Sequence, residues 1–240
     1  KSSNRGDDWT IISPDLTTDN PEWQKQDESG GLTPDVTGAE NFTSIVALAA
    51  SPLQEGVLWA GTDDGRVHVT TDGGENWQSL EKKAKDVPAN TWVPHIGVSP
   101  HEAGTAWVVF DDHRRGNWET YAYRVTDFGT SWKRLKTDSV SGFALVLEQD
   151  PVNPDLLYLG TEFGLWVSRD GGDSWFKWTH GVPTTSVMDL VVHPRDNDLV
   201  IGTHGRSAFV LDDLGPLQHF SEEVAGSELK LFEVPDAIAY

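Results

Sequence analysis

The residue types able to do chemistry in this chain gather in short, glycine-flanked runs. Gly61-Thr62-Asp63-Asp64-Gly65 and Gly160-Thr161-Glu162-Phe163-Gly164 set carboxylates between turn-forming glycines, and Gly202-Thr203-His204-Gly205-Arg206 repeats the run with His and Arg. Asp111-Asp112-His113-Arg114-Arg115 is the densest basic cluster in an acidic background. Two carboxylates roughly 5–10 Å apart across a glycosidic bond can hydrolyse it. Asp63, Asp64 and Glu162 could supply them, but their spacing singles out no pair. His113, Arg114 and Arg115 suit an anionic group, with ion pairing to Asp111 or Asp112 as the competing use. His95 and Asp189 each stand five residues before a proline, where an acid–base pair could face a central channel. They fall in units that are not neighbours.

What must position these residues is a recurring eight-residue pattern, S/T-x-D-x-G-x-x-W. It stands at Ser168-Arg169-Asp170-Gly171-Gly172-Asp173-Ser174-Trp175 and nearly unchanged at Thr70-Thr71-Asp72-Gly73-Gly74-Glu75-Asn76-Trp77. Worn copies follow at Val125-Thr126-Asp127-Phe128-Gly129-Thr130-Ser131-Trp132, without the leading hydroxyl, and at Ser2-Ser3-Asn4-Arg5-Gly6-Asp7-Asp8-Trp9, with Asn for Asp. Recurrence at intervals of tens of residues marks a repeat architecture. The Asp should accept backbone N–H groups one or two residues ahead. Glycine supplies a left-handed angle, and Trp packs its ring on the next strand. The alternating acids and closing Glu of a calcium loop are absent, so the motif is expected to fasten hairpins and bind no metal.

Four units align on a proline that closes a first strand: residues 45–51 before Pro52, 93–99 before Pro100, 144–150 before Pro151 and 187–193 before Pro194. The preceding residue is Ser, Ser, Asp or His, and the first three form turns through their side chains. Short strands at even spacing with an aromatic motif per unit read as propeller blades.

These residues resemble the Asp-box (BNR) repeat of sialidases, xyloglucanase-type glycosidases and sortilin/VPS10 propellers, most closely the bacterial sortilin-like BNR-repeat proteins. The likeness covers most of residues 1–213. It implies an all-β fold of four-stranded antiparallel propeller blades, about four here, as an arc or C-terminal part of a ring of about ten. It also implies that the boxes are not catalytic and that peptide or protein segments bind on the disc face or in the channel.

Eleven Trp, one Met and no Cys describe a stiff, strand-rich protein without disulfides, thiol catalysis or thiolate metal sites. The missing Cys also counts against a vertebrate sortilin, whose family carries a Cys-rich module. A formal charge of −20 over 240 residues disfavours nucleic acid and anionic membranes as partners. No apolar run approaches membrane-spanning length. With no signal peptide and Lys1 first, the chain reads as a mature or excised piece of an exported protein, periplasmic, cell-surface or secreted.

Residues 1–13 should end in an outer strand, Trp9-Thr10-Ile11-Ile12, with no blade of its own. Residues 14–42 form a long inter-blade loop in which Trp23 either pins the loop or touches a ligand. The last unit loses its box at Leu214-Gly215-Pro216. Residues 214–240 form a tail or ring-closing segment, with a helical turn at 221–224 and a strand at Leu229-Lys230-Leu231-Phe232. Either residues 9–12 complete the last blade and seal a four-bladed ring, or the chain is an arc completed by other blades or a second copy. The arc is the expected form.

Because strands reverse direction, the boxes and proline turns share one face. The Gly-Thr turns, the 14–42 loop and the 111–119 hairpin share the other. That second face, bearing Asp63, Asp64, His113, Arg114, Arg115, Glu162, Phe163, His204 and Arg206, is the expected ligand surface. No catalytic residue, cofactor or metal is expected. The reading is a non-catalytic binding propeller, with a glycoside hydrolase or an assembly module as alternatives.

Overall fold

Strands of two to seven residues cannot bury themselves singly, and their two apolar faces demand neighbours on both sides. The computed structural model, which describes residues 1–25 and 42–234, resolves the demand as four antiparallel sheets in chain order. Part of the 14–42 loop, residues 26–41, and the tail's residues 235–240 lie outside the described residues. Blade one is β1 (Ile45–Ala50), β2 (Leu58–Thr62), β3 (Val67–Thr70) and β4 (Gln78–Ser79). Blade two is β5 (Trp92–Val98), β6 (Ala106–Asp111), β7 (Tyr121–Thr126) and β8 (Ser131–Arg134). Blade three is β9 (Ala144–Gln149), β10 (Leu157–Thr161), β11 (Gly164–Ser168) and β12 (Phe176–Trp178). Blade four has three strands, β13 (Val187–Val192), β14 (Leu199–Thr203) and β15 (Ala208–Leu211).

Consecutive blades pack face to face through their inner strands, β5 on β1, β9 on β5 and β13 on β9. No comparable contact joins β13 to β1 among the described residues. The core is accordingly divided between blades. Trp59, Val67 and Val69 meet Val108, Phe110 and Tyr123, Trp107 and Val109 meet Leu147 and Leu159, and Tyr158 and Leu165 meet Leu190 and Ile201.

The glycine of each Gly-Thr turn sits where the next blade comes closest. A Cβ on Gly61 would lie 2.6 Å from Val93, and one on Gly160 would lie 2.5 Å from Val146 and 2.7 Å from Val187. At Gly202 the nearest atom would be Asp189 Cβ of its own blade, at 3.4 Å. Gly160→Ala should therefore cost about 1–2 kcal/mol by overpacking, whereas Gly202→Ala should stay within about 0.5 kcal/mol of the parent. Chemical denaturation of the two variants side by side checks the contrast.

Three of the four eight-residue clasps share one hydrogen-bond cage, while at 125–132 backbone bonds from Gly129 to Thr126 and from Thr130 to Asp127 close the turn instead. Ser168 Oγ accepts the Gly172 N–H at 2.8 Å and donates to Asp170 Oδ1, which accepts the Ser174 N–H at 2.8 Å. Thr70, Asp72, Gly74 and Asn76 repeat it, as do Ser2, Asn4, Gly6 and Asp8. The carboxylate thus reaches four residues ahead, not one or two. Hydrogen bonds from Asn76 and Thr70 hold Asp72 down to about 2. Burial pushes Asp170 up, but the Ser174 and Ser168 hydrogen bonds outweigh it and leave that carboxyl lowered. The glycine at the fifth position of the last three clasps seats the residue three past the preceding clasp's Trp. Gly74 seats Ile12, Gly129 seats Leu80 and Gly172 seats Leu135.

Several expectations change. Residues 9–12 form no strand and do not pair with β15; they lie against blade one, where Trp77 Nε1 donates to the Ile12 carbonyl at 3.1 Å. Blade four keeps the clasp's Asp and Gly as Asp213 and Gly215, and Asp213 Oδ1 accepts the Gly215 N–H at 3.1 Å. The chain then turns into helix α1 (Gly215–Gln218) instead of an outer strand, because Pro216 has no N–H for a ladder and suits a first helical turn. Helix α2 (Glu222–Gly226), capped by Ser221 Oγ, stands where the helical turn was expected. Leu229 to Phe232 is not a strand, since no neighbouring edge pairs with it.

Candidate functional site

The turn that follows the second strand of each blade is built the same way. The N–H of Asp63 donates to the Ser44 carbonyl, that of Glu162 to Phe143 and that of His204 to Ser186, each the residue just before the inner strand. From the β5–β6 register Asp111 takes the same position in blade two. Asp63, Asp111, Glu162 and His204 therefore mark equivalent points on one face of the disc.

Between the first two of these points lies a cavity of about 330 Å³ lined by Trp23, Phe42, Asp63, Trp92, Asp111 and Arg114, together with Asn90, Asp112 and Arg115. Its floor is a guanidinium stacked on an indole, with Arg114 Cζ 3.4 Å from the Trp92 ring centre. Burial pulls Arg114 below its ordinary value, and the charges of Asp111 and Asp63 push back. Trp23 and Phe42 meet edge to face at 5.9 Å and both line the cavity.

Asp63 accepts the Ser44 N–H at 2.8 Å. Its burial raises the carboxyl to about 6 against that hydrogen bond, with the neighbouring Asp64 charge adding to the rise. Asp64 is buried behind the cavity and spoken for, accepting the Thr18 N–H at 2.6 Å and the Thr62 hydroxyl. Arg115 is a fastener: it pairs with Asp112 and donates to the Ala89 carbonyl at 2.8 Å and Thr91 Oγ1 at 2.7 Å. His113 turns away from the cavity, held by Asp111 at 2.7 Å and stacked on Phe143 at 4.2 Å. Exposed Trp118 lies 5.8 Å from the same Phe143 ring, extending the aromatic surface beyond the cavity.

The structure thus gathers Asp63, Arg114 and Arg115 at one cavity, with Asp64 behind it and His113 beside it. Glu162 and Phe163 sit at the next blade's turn, beyond Phe143, and one Glu162 oxygen is buried without a partner among the described residues. His204 and Arg206 are exposed on blade four's turn, away from the cavity, and no bond joins their side chains to the described part of the 214–234 segment. Trp92, Phe42, Asn90 and Asp111 were not among the expected site residues. Only the paired turns of neighbouring blades, aligned by register, could have pointed to Asp111. His95 Nε2 lies 3.2 Å from Glu148 Oε1 on the inner strand of the next blade and is not paired with Asp189.

No protein-family model matches the chain. Among curated proteins it is 26% identical over 138 residues to a probable oligoxyloglucan-reducing end-specific xyloglucanase of Neosartorya fischeri, covering 53% of this chain and 16% of that protein. Among solved structures it is similar to the GH74 enzyme of Niastella koreensis, with TM-score 0.57 and 19% identity over 70% of this chain and 28% of that one. It is also similar to YCF48 bound to D1 peptide, with TM-score 0.51 and 14% identity over 70% and 52%. A third is an auxiliary nutrient binding protein from Bacteroides thetaiotaomicron, with TM-score 0.56 and 13% identity over 74% and 40%. These likenesses define the class, a β-propeller with GH74-like and YCF48-like neighbours. The chain spans well under two thirds of each of these proteins.

Proposed function

We propose that this chain is part of a non-catalytic binding propeller of sortilin-like type, built from Asp-box blades, that holds a peptide or protein segment on its loop face. The observation that carries the reading is the state of the cavity's charges. Asp111, Asp112, Asp64 and Arg115 are engaged in internal bonds and Arg114 is stacked. What remains to meet a ligand is the aromatic wall, the N–H groups of Arg114 and the Asp63 oxygen that Ser44 leaves open, a surface suited to an apolar side chain beside a charged one. The YCF48 neighbour, solved with a peptide, is in keeping with this reading. Residues 1–213 are read as the propeller part and 214–240 as its tail, in an exported protein. No described helix is long and apolar enough to cross a membrane.

Panning a random peptide library against the chain should select sequences pairing Lys or Arg with an apolar residue. Trp92→Ala should weaken the selected peptide at least tenfold in fluorescence anisotropy, with the fold intact by circular dichroism. Binding that ignores this substitution would move the site elsewhere.

A second reading, a glycoside hydrolase, is favoured by one observation: a carboxyl raised to about 6 stands in an aromatic-walled cavity that Asp111 also lines. The xyloglucanase likeness agrees with it. Release of reducing sugar from xyloglucan oligosaccharides, abolished by Asp63→Asn, would replace the binding reading with this one.

A further inference from the structure

With 38 acidic residues against 18 Lys and Arg, a cation on this chain should find a carboxylate easily. Lys25, Arg115, Arg124, Lys133, Arg134 and Lys136 each do. The run Lys82-Lys83-Ala84-Lys85 departs from that pattern. Its three lysine side chains are exposed and form no ion pair or hydrogen bond among the described residues. Two of them, Lys82 and Lys85, line a pocket of about 360 Å³ beside the Gly65 turn, and Arg66, which has a bond of its own, lines it as well. No Asp or Glu stands among its described lining residues. Like charges gathered around one small volume repel one another, and a counter-charge placed among them relieves the repulsion.

The pocket is held in shape by bonds of its own. Arg115 donates to the Ala89 carbonyl at 2.8 Å and to Thr91 Oγ1 at 2.7 Å, and Thr91 Oγ1 donates to the Pro88 carbonyl at 2.7 Å. Gly65, at φ +87°, lies so near this segment that a Cβ on it would stand 2.7 Å from Asn90 Cα. The Val87 N–H donates to the Ala84 carbonyl at 3.3 Å, joining the lysine run to the same segment. A site already fixed in this way asks little ordering of itself when a ligand arrives. Part of the lining is apolar: Phe110 and Ala84 are buried and Val87 is half-buried. Cations beside apolar lining suit an anion carried on a carbon body better than a bare ion.

We propose that this pocket binds a phosphate monoester with an apolar ester group. Such a phosphate carries about two negative charges near neutral pH and three acceptor oxygens. It can therefore meet Lys82, Lys85 and Arg66 together, where a carboxylate offers a single charge. The carbon body lies along Val87. The net charge of −20 opposes any anion at long range, so capture rests on the groups in contact. The site is separate from the Trp92 cavity, since Asn90 is the one described residue lining both, and it stands whatever that cavity binds.

Phenyl phosphate titrated into the isotope-labelled chain should shift the amide resonances of Gly65, Lys85 and Asn90 along a saturating curve. Inorganic phosphate should move the same resonances with weaker affinity, and phenol or benzoate at equal concentration should leave them in place. The double variant Lys82→Gln, Lys85→Gln should weaken phenyl phosphate about tenfold or more. Its circular dichroism should not change, because both side chains are exposed. Lys83→Gln removes a charge from the same run but not from the pocket lining, and should leave the affinity unaltered, as should Trp92→Ala. A phosphotyrosine peptide separates the two sources of such a group. Tighter binding than phenyl phosphate marks a phosphorylated partner segment, and equal or weaker binding marks a free ester. Resonances that stay put, phenol that moves them as well as phenyl phosphate does, or a loss in Lys83→Gln equal to that of the double variant would overturn the proposal.

Discussion

Replacing Asp150 with Ala should cost about 3–5 kcal/mol of folding stability, the largest single loss expected for a polar residue in this chain. Asp150 is fully buried, and its two oxygens serve four donors. Oδ1 accepts the N–H groups of Val152 and Asn153, both at 2.8 Å, closing the turn at Pro151. Oδ2 accepts the Tyr158 hydroxyl and the Gln218 amide, both at 2.9 Å. Tyr158 is itself fully buried, and burial, reinforced by the Asp150 charge, raises its hydroxyl far above the ordinary range. It therefore stays a donor at any working pH. Alanine would leave the Tyr158 and Gln218 donors facing an apolar gap. Gln218 also exchanges two hydrogen bonds with Asn197, at 2.8 and 2.9 Å, and its carbonyl accepts Asn153 Nδ2 at 2.9 Å. The same loss should thus loosen α1 from blades three and four. Asp150→Asn keeps one acceptor and should cost about half as much. Ser99→Ala removes a turn acceptor of two N–H groups but no buried hydroxyl partner, and should cost only about 1 kcal/mol. Urea denaturation of the three variants orders them. Equal losses at Asp150 and Ser99 would mean that the turn, and not the buried network, carries the energy.

Asp150 also shows which parts of the molecule are legible in a linear reading. The proline turns and the clasps are, because their partners lie within eight residues of one another. Ser51, Ser99 and Asp150 do accept from the turn that follows, and so does His193 through Nδ1, which its residue type did not announce. The blades follow from that regularity. What escapes is everything made across long separations. The Gln218 amide reaches Asp150 from 68 residues away, and Trp77 reaches the Ile12 carbonyl from 65. The cavity draws Trp23, Phe42, Asp63, Trp92 and Asp111 from separate turns, and a Trp at the mouth of β5 looks locally like any strand-starting aromatic. Asp63 was legible as a turn residue, but its environment depends on a loop and on the adjoining blade. The loss of the last box is legible, but the helix that takes the place of its outer strand is not. Asp213 and Gly215 keep their places, and it is the residues after them, packed with Gln218 against distant partners, that turn the chain into a helix.

The environment of Asp63 makes a second large effect measurable. Its carboxyl sits at about 6 when folded against 3.8 ordinarily, chiefly through burial. A folded value above the unfolded one means that the native state binds the proton more tightly. Between about pH 4 and pH 6 the native state keeps a proton that the unfolded chain has lost, so stability falls as pH rises through that window. At about 1.36 kcal/mol per unit, the fall attributable to Asp63 is on the order of 2–3 kcal/mol, and it is complete a little above pH 6. Asp63→Asn keeps an oxygen for the Ser44 N–H and removes the titration. Parent and variant should therefore be close in stability at pH 4, and the variant should be more stable by about 2–3 kcal/mol at pH 7.5. A basic ligand side chain seated beside the carboxyl would favour its ionised form, so binding to the parent should strengthen as pH rises through 6 and the variant should lose that dependence. Denaturation curves for both proteins at the two pH values decide the first point, and peptide titrations at pH 5 and 7.5 the second. A stability difference that is the same at both pH values would mean that Asp63 ionises freely, and the cavity would lose the one group whose charge a ligand could control.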